Sequence, residues 1–197
     1  FTIAGGAITG FFGLATHASM NFEAQISAVG AVSNATAEEL DKLREVALQV
    51  GADTTFSATE VAQAMEILAK VGMDLEDIYG GVAEGAVRLS EATGADITTS
   101  AEIAATAMTV FKLSAEDAVD VMNTLAQSAN ASTMDLSDWI TAIQYAAPIA
   151  ATLGYTIDDV AQSLVILGNS GITGSVAATS LRNMLNQLAD SGSKVNE

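Results

Sequence analysis

The stretch FSATEVAQAMEILAKVGM, residues 56–73, contains a complete helix with its own start and stop. Ser57 is followed three residues later by Glu60. This is the spacing of a capping box, in which a hydroxyl and a carboxylate each accept a hydrogen bond from a free backbone N–H. Gly72 follows the last apolar residues, and a left-handed glycine commonly ends a helix at such a place. The stretch therefore predicts a helix over residues 58–71.

Most of the surface of this helix is apolar. Its apolar side chains are Val61, Ala62, Ala64, Met65, Ile67, Leu68, Ala69 and Val71. On a helical wheel they cover a wide arc and leave one polar strip, in which Glu66 and Lys70 are spaced to form an ion pair. A helix of this kind must be covered on most sides, with Glu66 and Lys70 facing solvent.

The chain repeats the stretch at residues 155–172 as YTIDDVAQSLVILGNSGI. In this second copy Val165 stands where the first has Glu66, and Asn169 stands where the first has Lys70. The apolar arc is kept and the charges are lost. We therefore expect Val165 and Asn169 to be covered by other helices or by another chain. The residues that are identical to the first copy are Val160, Ala161, Gln162, Ile166, Leu167 and Gly171.

The same start and stop signals recur along the chain and predict an all-α fold. Half of the residues are hydrophobic but only 5% are aromatic, a composition that suits closely packed helices. Short connections favour antiparallel neighbours, so we expect a compact bundle of about nine short helices arranged as helical hairpins. GADTTFSATE and GADITTSAE indicate weak internal repetition but no open solenoid. The predicted helices span residues 1–29, 37–50, 58–71, 74–93, 97–111, 115–129, 136–153, 157–169 and 175–189.

Charge and cysteine content exclude several classes of function. The chain has 7 Lys and Arg residues against 24 Asp and Glu residues, a net charge of −17, which repels phosphate backbones. Direct nucleic-acid binding is therefore not expected. The absence of cysteine removes disulfide and thiolate chemistry, and no motif indicates a metal or another cofactor.

The opening segment FTIAGGAITGFFGLATHASMNF carries no formal charge. It is long enough to span a membrane, but its polar residues place it in the ambiguous range of hydropathy. Gly6 and Gly10 are spaced to let two helices approach closely, in lipid or in a soluble bundle. A packed or partner-covered helix is favoured, and membrane insertion stays open as the alternative. The candidate interaction or membrane side chains are Phe1, Ile3, Ile8, Phe11, Phe12 and Leu14.

The C-terminal third is nearly free of charge. From Trp139 to Ala189 the charged residues are Asp158, Asp159 and Arg182. So apolar a stretch must be buried against the rest of the chain or against a partner. The candidate partner-covered face is formed by Val165, Ile166, Asn169, Ile172 and Val176.

Three parts of the chain are distinguished by composition. Residues 1–29 form the apolar opening helix, which can continue an upstream helical region, and residues 30–189 form a helical core domain. Residues 190–197 begin a polar linker. The start at Phe1 and the polar end suggest that the chain is part of a longer polypeptide.

No catalytic constellation is evident. The one histidine, His17, lies among Ala and Thr, where a packed or partly exposed role is favoured over catalysis. NSGITGS at residues 169–175 lacks the lysine of a phosphate-binding loop. Glycan hydrolysis by a pair of carboxylates stays open as an alternative in so acidic a chain. Few aromatic residues are present, however, to form a platform for a sugar. The sequence therefore predicts a protein that is not an enzyme.

Residues from about Phe22 to Leu188 resemble the core domain of phage tail tape measure proteins of the TP901 type. The resemblance runs in one order over most of the chain, with the minor departure that Ala178 stands where the usual pattern has glycine. The matching pieces are FEAQISAVGAVSNATAEELDKL, VGADTTFSATEVAQAMEILAKVGMDLEDI, LSEATGADITTSAEIAATAMTVF, LAQSANASTMDLSDWITAIQYAAPIAATLG and LGNSGITGSVAATSLRNML.

The resemblance implies a structural virion protein, with residues 30–189 as the tape measure core domain. Several copies would lie in the tail tube lumen or tail tip, set tail length, and help the genome cross the host envelope. The implied partners are further copies, tail tube and tail tip proteins, tail assembly chaperones and the host membrane. The host cytoplasm is the implied location during assembly. The family assigns no catalytic residues here, so none are carried over.

Overall fold

The computed structural model describes the backbone of residues 3–195 and the side chains of residues 18–190. In this part of the chain nine helical segments are present and no strand, so the predicted all-α class is confirmed. The segments are α1 (Ile3–Ser33), α2 (Ala37–Asp53), α3 (Ala58–Lys70), α4 (Leu75–Asp77, a π-helical turn Ile78–Val82, and Ala83–Thr93), α5 (Ile97–Phe111), α6 (Ala118–Asn130, after a 3₁₀ turn Ala115–Asp117), α7 (Leu136–Thr152), α8 (Ile157–Asn169) and α9 (Gly174–Val195).

Capping side chains start the helices largely as predicted. Thr36, Ser57 and Thr156 each form a complete capping box with the acid three residues later. The start of α5 at Ile97 agrees with the predicted helix over residues 97–111. Its N-cap is Asp96, whose carboxylate accepts a hydrogen bond from the backbone N–H of Thr99 at 2.9 Å. A carboxylate at the cap serves the same free N–H groups as a hydroxyl and adds favourable charge at the helix start.

Glycines end four of the nine predicted helices. Gly72, Gly94, Gly154 and Gly171 all have positive φ, which L side chains rarely adopt. The helix predicted over residues 37–50 was expected to stop before Gly51, but α2 continues past this glycine to Asp53. A Cβ on Gly51 would lie 2.7 Å from the backbone nitrogen of Ala58. Close approach to the start of α3, and not helix termination, is therefore the reason for this glycine.

The helices stack in two layers, with successive helices alternating between them. The odd layer contains α1, α3, α5, α7 and α9, and the even layer contains α2, α4, α6 and α8. Within each layer a helix packs against the helix two places along the chain, and across the layers it packs against its sequence neighbours. The hairpin arrangement is thus present, but we expected no solenoid-like stack and the contacts show one. Each segment contacts only near neighbours, as in repeat proteins.

The internal repeat has a structural counterpart. When Ser57 is aligned with Thr156, the bounds of α7 and α8 correspond residue for residue to those of α2 and α3. Because α8 is the fifth helix after α3, α3 lies in the odd layer and α8 lies in the even layer. In its layer α3 lies between α1 and α5, whereas α8 contacts α6 on one side only. The second copy therefore ends the described stack.

Candidate interaction surfaces

The predicted N-terminal interaction segment can be assessed only in part. Phe1 lies outside the described residues, and so do the side chains of Ile3, Ile8, Phe11, Phe12 and Leu14, although Ile3 begins α1. Over the portion of the chain that the structure describes, no helix combines the length and apolar character that crossing a bilayer requires. The membrane alternative gains no support from these residues.

The predicted partner-covered face splits into two sets of side chains. Val165 and Ile172 are partly buried and pack against the core of the chain itself. Ile166 and Val176 point outward, with 68% and 62% of their surfaces exposed. Asn169 is also exposed. Whether another chain covers the outward set stays a prediction.

Asn169 has a structural role that the loss of charge did not indicate. Its side-chain Nδ2 donates a hydrogen bond to the carbonyl oxygen of Ala131 at 3.0 Å. Asn130 makes the corresponding bond one helix earlier in the even layer, donating to the carbonyl oxygen of Ala92 at 3.0 Å. The two amides therefore connect the C-terminal ends of α4, α6 and α8, where helical carbonyls lack internal partners.

Glu66 and Lys70, the charged pair of the first copy, are not equally exposed. Lys70 is exposed as expected, and its Nζ lies 2.6 Å from Oε1 of Glu66. Only 19% of the Glu66 side chain is exposed, because α1 covers α3. Gln25 on α1 donates a hydrogen bond to the Glu66 carboxylate. The ammonium group of Lys70, aided by Gln25, keeps the pKa of Glu66 below its ordinary value against the effect of burial.

An apolar groove lies between α8 and α9 at the end of the stack. Its volume is about 340 Å³, and its apolar lining includes Ile166, Leu181, Met184, Leu185 and Leu188. Ile166, Met184 and Leu188 are exposed. The spacing of 181, 184, 185 and 188 indicated one apolar helix face, but nothing local showed that this face would be only half covered. The candidate partner-covered face, through Ile166, therefore borders this groove.

Carboxylates at the helix starts dominate the electrostatics of the described residues. At the start of α3 the backbone N–H of Ser57 donates to Glu60 at 2.8 Å and the Ser57 hydroxyl donates at 2.7 Å. These bonds hold the pKa of Glu60 below its ordinary value. The corresponding bonds from Thr36 and Thr156 lower the pKa values of Glu39 and Asp159. All three groups favour the charged form because that form accepts the bonds.

We expect acid to destabilise the fold partly through these capping boxes. A depressed folded-state pKa contributes stability that is fully present above the unfolded pKa, about 4.3 for Glu, and is lost as pH falls through the folded value. Thermal unfolding followed by circular dichroism from about pH 7 to pH 3 should show this loss at the acidic end. In Glu60→Gln the amide keeps the capping geometry without titrating, so the acid dependence should be weaker. An equal acid dependence in the variant would contradict the assignment.

The described residues contain no grouping suited to bind a metal ion through His, Cys, Asp or Glu side chains. The side chain of His17 lies outside them. The capping acids are occupied by hydrogen bonds to helix starts, so they serve the fold. The geometry of this part of the chain is that of a stacked scaffold with one exposed apolar end.

A family model described as phage-related minor tail protein matches residues 44–197. The chain belongs to this family. This minor tail protein is 36% identical over 182 residues to a tape measure protein of Pneumococcus phage Dp-1, covering 92% of this chain and 16% of that relative. It is 33% identical over 167 residues to a probable tape measure protein of Escherichia phage P2, covering 83% of this chain and 20% of that relative. No solved structure matches the chain.

Family membership assigns the chain a structural role in the phage tail, as the resemblance implied. The minor tail protein chain spans a fifth or less of the length of the two relatives. The remaining four fifths or more of each relative lies outside the matched region.

Proposed function

We propose that this chain is the helical core domain of a tape measure protein, acting in tail assembly, length determination and genome delivery. The single observation that carries the proposal is the colinear similarity to two tape measure proteins over most of this chain. It works by contact with other proteins and without catalysis. The uncharged C-terminal end of the stack supports this mode of action because it offers apolar surface and no reactive group.

The folded-back shape of this domain supports a role other than measuring tail length. At about 1.5 Å per residue, a single helix of this length would extend on the order of 300 Å. Here the chain instead folds back at each connection into a short stack. Length determination would therefore belong to extended helical regions elsewhere in the protein, with this domain as a globular element attached to them.

The proposed partners follow from this role as a globular element of the tail. Tail tube and tail tip proteins would contact the domain in the assembled virion, and tail assembly chaperones would hold it in the host cytoplasm before assembly. Further copies of the same protein would lie beside it. The net charge of −17 favours contacts through apolar or basic surfaces and disfavours direct binding of the genome.

An in-frame deletion of residues 30–189 in the phage tests the proposal. Loss of infectious particles is expected, with absent or abnormal tails in electron micrographs. A plasmid copy of the intact gene should restore infectivity, which controls for effects on neighbouring genes. Tails of normal length that fail to deliver DNA would assign the domain to delivery alone. Normal tails with normal delivery would overturn the proposal.

A further inference from the structure

The two copies of the repeat have different neighbours in the stack. Helix α3 contacts the two helices before it, α1 and α2, and the two helices after it, α4 and α5. Helix α8 contacts α6 and α7 before it and α9 after it. Among the described helices, none occupies the place beside α8 that α5 occupies beside α3. The neighbour that α8 lacks is therefore the helix two places further along the chain.

The missing neighbour leaves side chains of α8 uncovered that are covered in the first copy. Ile67 on α3 is partly buried and packs against the core, whereas the equivalent Ile166 on α8 is 68% exposed. Ala64 on α3 is fully buried, whereas the equivalent Ser163 is only partly buried. Ser163 and Ile166 both line the apolar groove between α8 and α9. The groove thus lies where a helix two places after α8 would pack.

The walls of the groove come from the two helices that such a neighbour would contact. In the even layer, α6 packs against α4 in its own layer and against α5 across the layers. By the same rule the next even helix would contact α8 and α9. The apolar side chains that line the groove are Val160 and Ile166 on α8 and Leu181, Met184 and Leu188 on α9. Those on α9 recur at helical spacing and form a stripe that suits the apolar face of another helix.

The outer side of α8 and α9 does not have the character of a terminal unit. Stacks of repeated units end in units with a polar outer face, because that face meets water. Here Ile166, Met184 and Leu188 are exposed at the end of the described stack. The matched regions make up 16% and 20% of the two tape measure relatives, so these proteins have ample further chain from which a covering helix can come.

We propose that the helix following residue 197 in the longer polypeptide, here called α10, packs into the groove and extends the even layer. Because α9 runs to Val195, a short connection would bring α10 back antiparallel to it. A helix tethered so closely has an effective concentration in the millimolar range, which favours it over a separate copy or another tail protein of similar affinity. The folded domain would then continue past residue 189, and residues 190–197 would connect two packed helices.

This inference goes beyond the proposed function and concerns the groove alone. Tyr145 and Val176 are exposed and do not line the groove, so apolar surface stays available for contacts with other tail proteins. The natural sequence after residue 197 should accordingly contain an N-cap residue followed by apolar side chains at i, i+3, i+4 and i+7.

Cysteine labelling tests the proposal, because the 197 residues contain no cysteine. Ile166→Cys and Met184→Cys each place one thiol in the groove. Each variant is made in the 197-residue chain and in a chain that continues through the first predicted helix of the natural sequence after residue 197. Reaction with a maleimide is followed by mass spectrometry of the labelled peptide. It should be about tenfold or more slower in the longer chain, where the thiol reacts only when α10 opens.

Leu48→Cys is the matched control. Leu48 is 55% exposed and lies on α2, far along the stack from the groove. Its thiol should react at the same rate in both chains. Circular dichroism checks that each variant is folded.

Three results would overturn the proposal. Equal reaction rates of the groove variants in both chains would show that the next helix does not cover the groove. Protection that rises with protein concentration would assign the groove to a second copy. Protection that appears only when purified tail proteins are added would assign it to one of them. The phage deletion is scored by infectivity and tail morphology, so failure of this proposal and failure of the tail function are distinguishable.

Discussion

Gly81→Ala should lower the free energy of unfolding by about 3 kcal/mol or more, a large part of the 5 to 15 kcal/mol typical of a domain. Gly81 lies in the π-helical turn of α4 with φ 148°, a conformation that costs an L residue about 1 to 3 kcal/mol. A Cβ at this position would also lie 2.5 Å from the carbonyl oxygen of Ala115. Because that contact is with backbone, it can be relieved only by moving α4 away from the start of α6.

Gly72→Ala is the matched control for this prediction. Gly72 also has positive φ, at 87°, but a Cβ there would meet nothing within 4 Å. Only the backbone strain remains, so the loss should be about 1 to 2 kcal/mol. Urea unfolding followed by far-ultraviolet circular dichroism measures both variants. Equal losses would contradict the claim that close approach of α4 and α6 requires a glycine at 81.

The π-helical turn shows where prediction from sequence stopped. Residues 74–93 were predicted as one continuous helix, and the adjacent glycines Gly80 and Gly81 inside it were not interpreted. Their reason is tertiary, since both face Ala115 in the 3₁₀ turn before α6. A little further along α4, a Cβ on Gly85 would lie 3.0 Å from the carbonyl oxygen of Ala118. Such partners are distant in sequence, and no local periodicity identifies them.

Signals within a few residues of each other predicted the helix ends, because helix ends depend on short-range contacts. Capping boxes and left-handed glycines act within a few residues, and they located most helix ends to within a few positions. The order of the stack depends on contacts between separate helices. Glu66 illustrates the difference, because its ion pair with Lys70 followed from spacing whereas its coverage by Gln25 depends on how α1 crosses α3. Likewise, the sequence shows that Asn169 replaces the lysine of the first copy. It does not show that the Asn169 side chain bonds to the carbonyl oxygen of Ala131.

The candidate surface was predicted by composition more than by pattern. The lack of charge after Trp139 drew attention to α8 and α9, where Ile166 and Val176 respectively are exposed apolar side chains. Composition could not separate them from Val165 and Ile172, which pack inward. That distinction depends on how α8, the connection after it and α9 face the rest of the stack.

Trp139→Ala should lower the free energy of unfolding by about 3 to 5 kcal/mol, the usual cost of removing a large buried side chain. Trp139 is 1% exposed and lies on α7, which packs between α5 and α9 in the odd layer. None of the described residues accepts a hydrogen bond from its Nε1, so the expected loss comes mainly from packing. Trp139→Phe, which keeps most of the packed volume, is the control and should cost clearly less. Urea unfolding measures both.

The loss of stability in Trp139→Ala should also be uneven along the chain. In a stack whose segments contact only near neighbours, stability is close to a sum of local contributions and adjacent interfaces. Native-state hydrogen exchange of Trp139→Ala should therefore accelerate in α7, α8 and α9 more than in α2 and α3. Uniform acceleration would show that the nine helices unfold as one cooperative unit. An uneven response would mean that α7, α8 and α9 can loosen while the N-terminal helices stay folded.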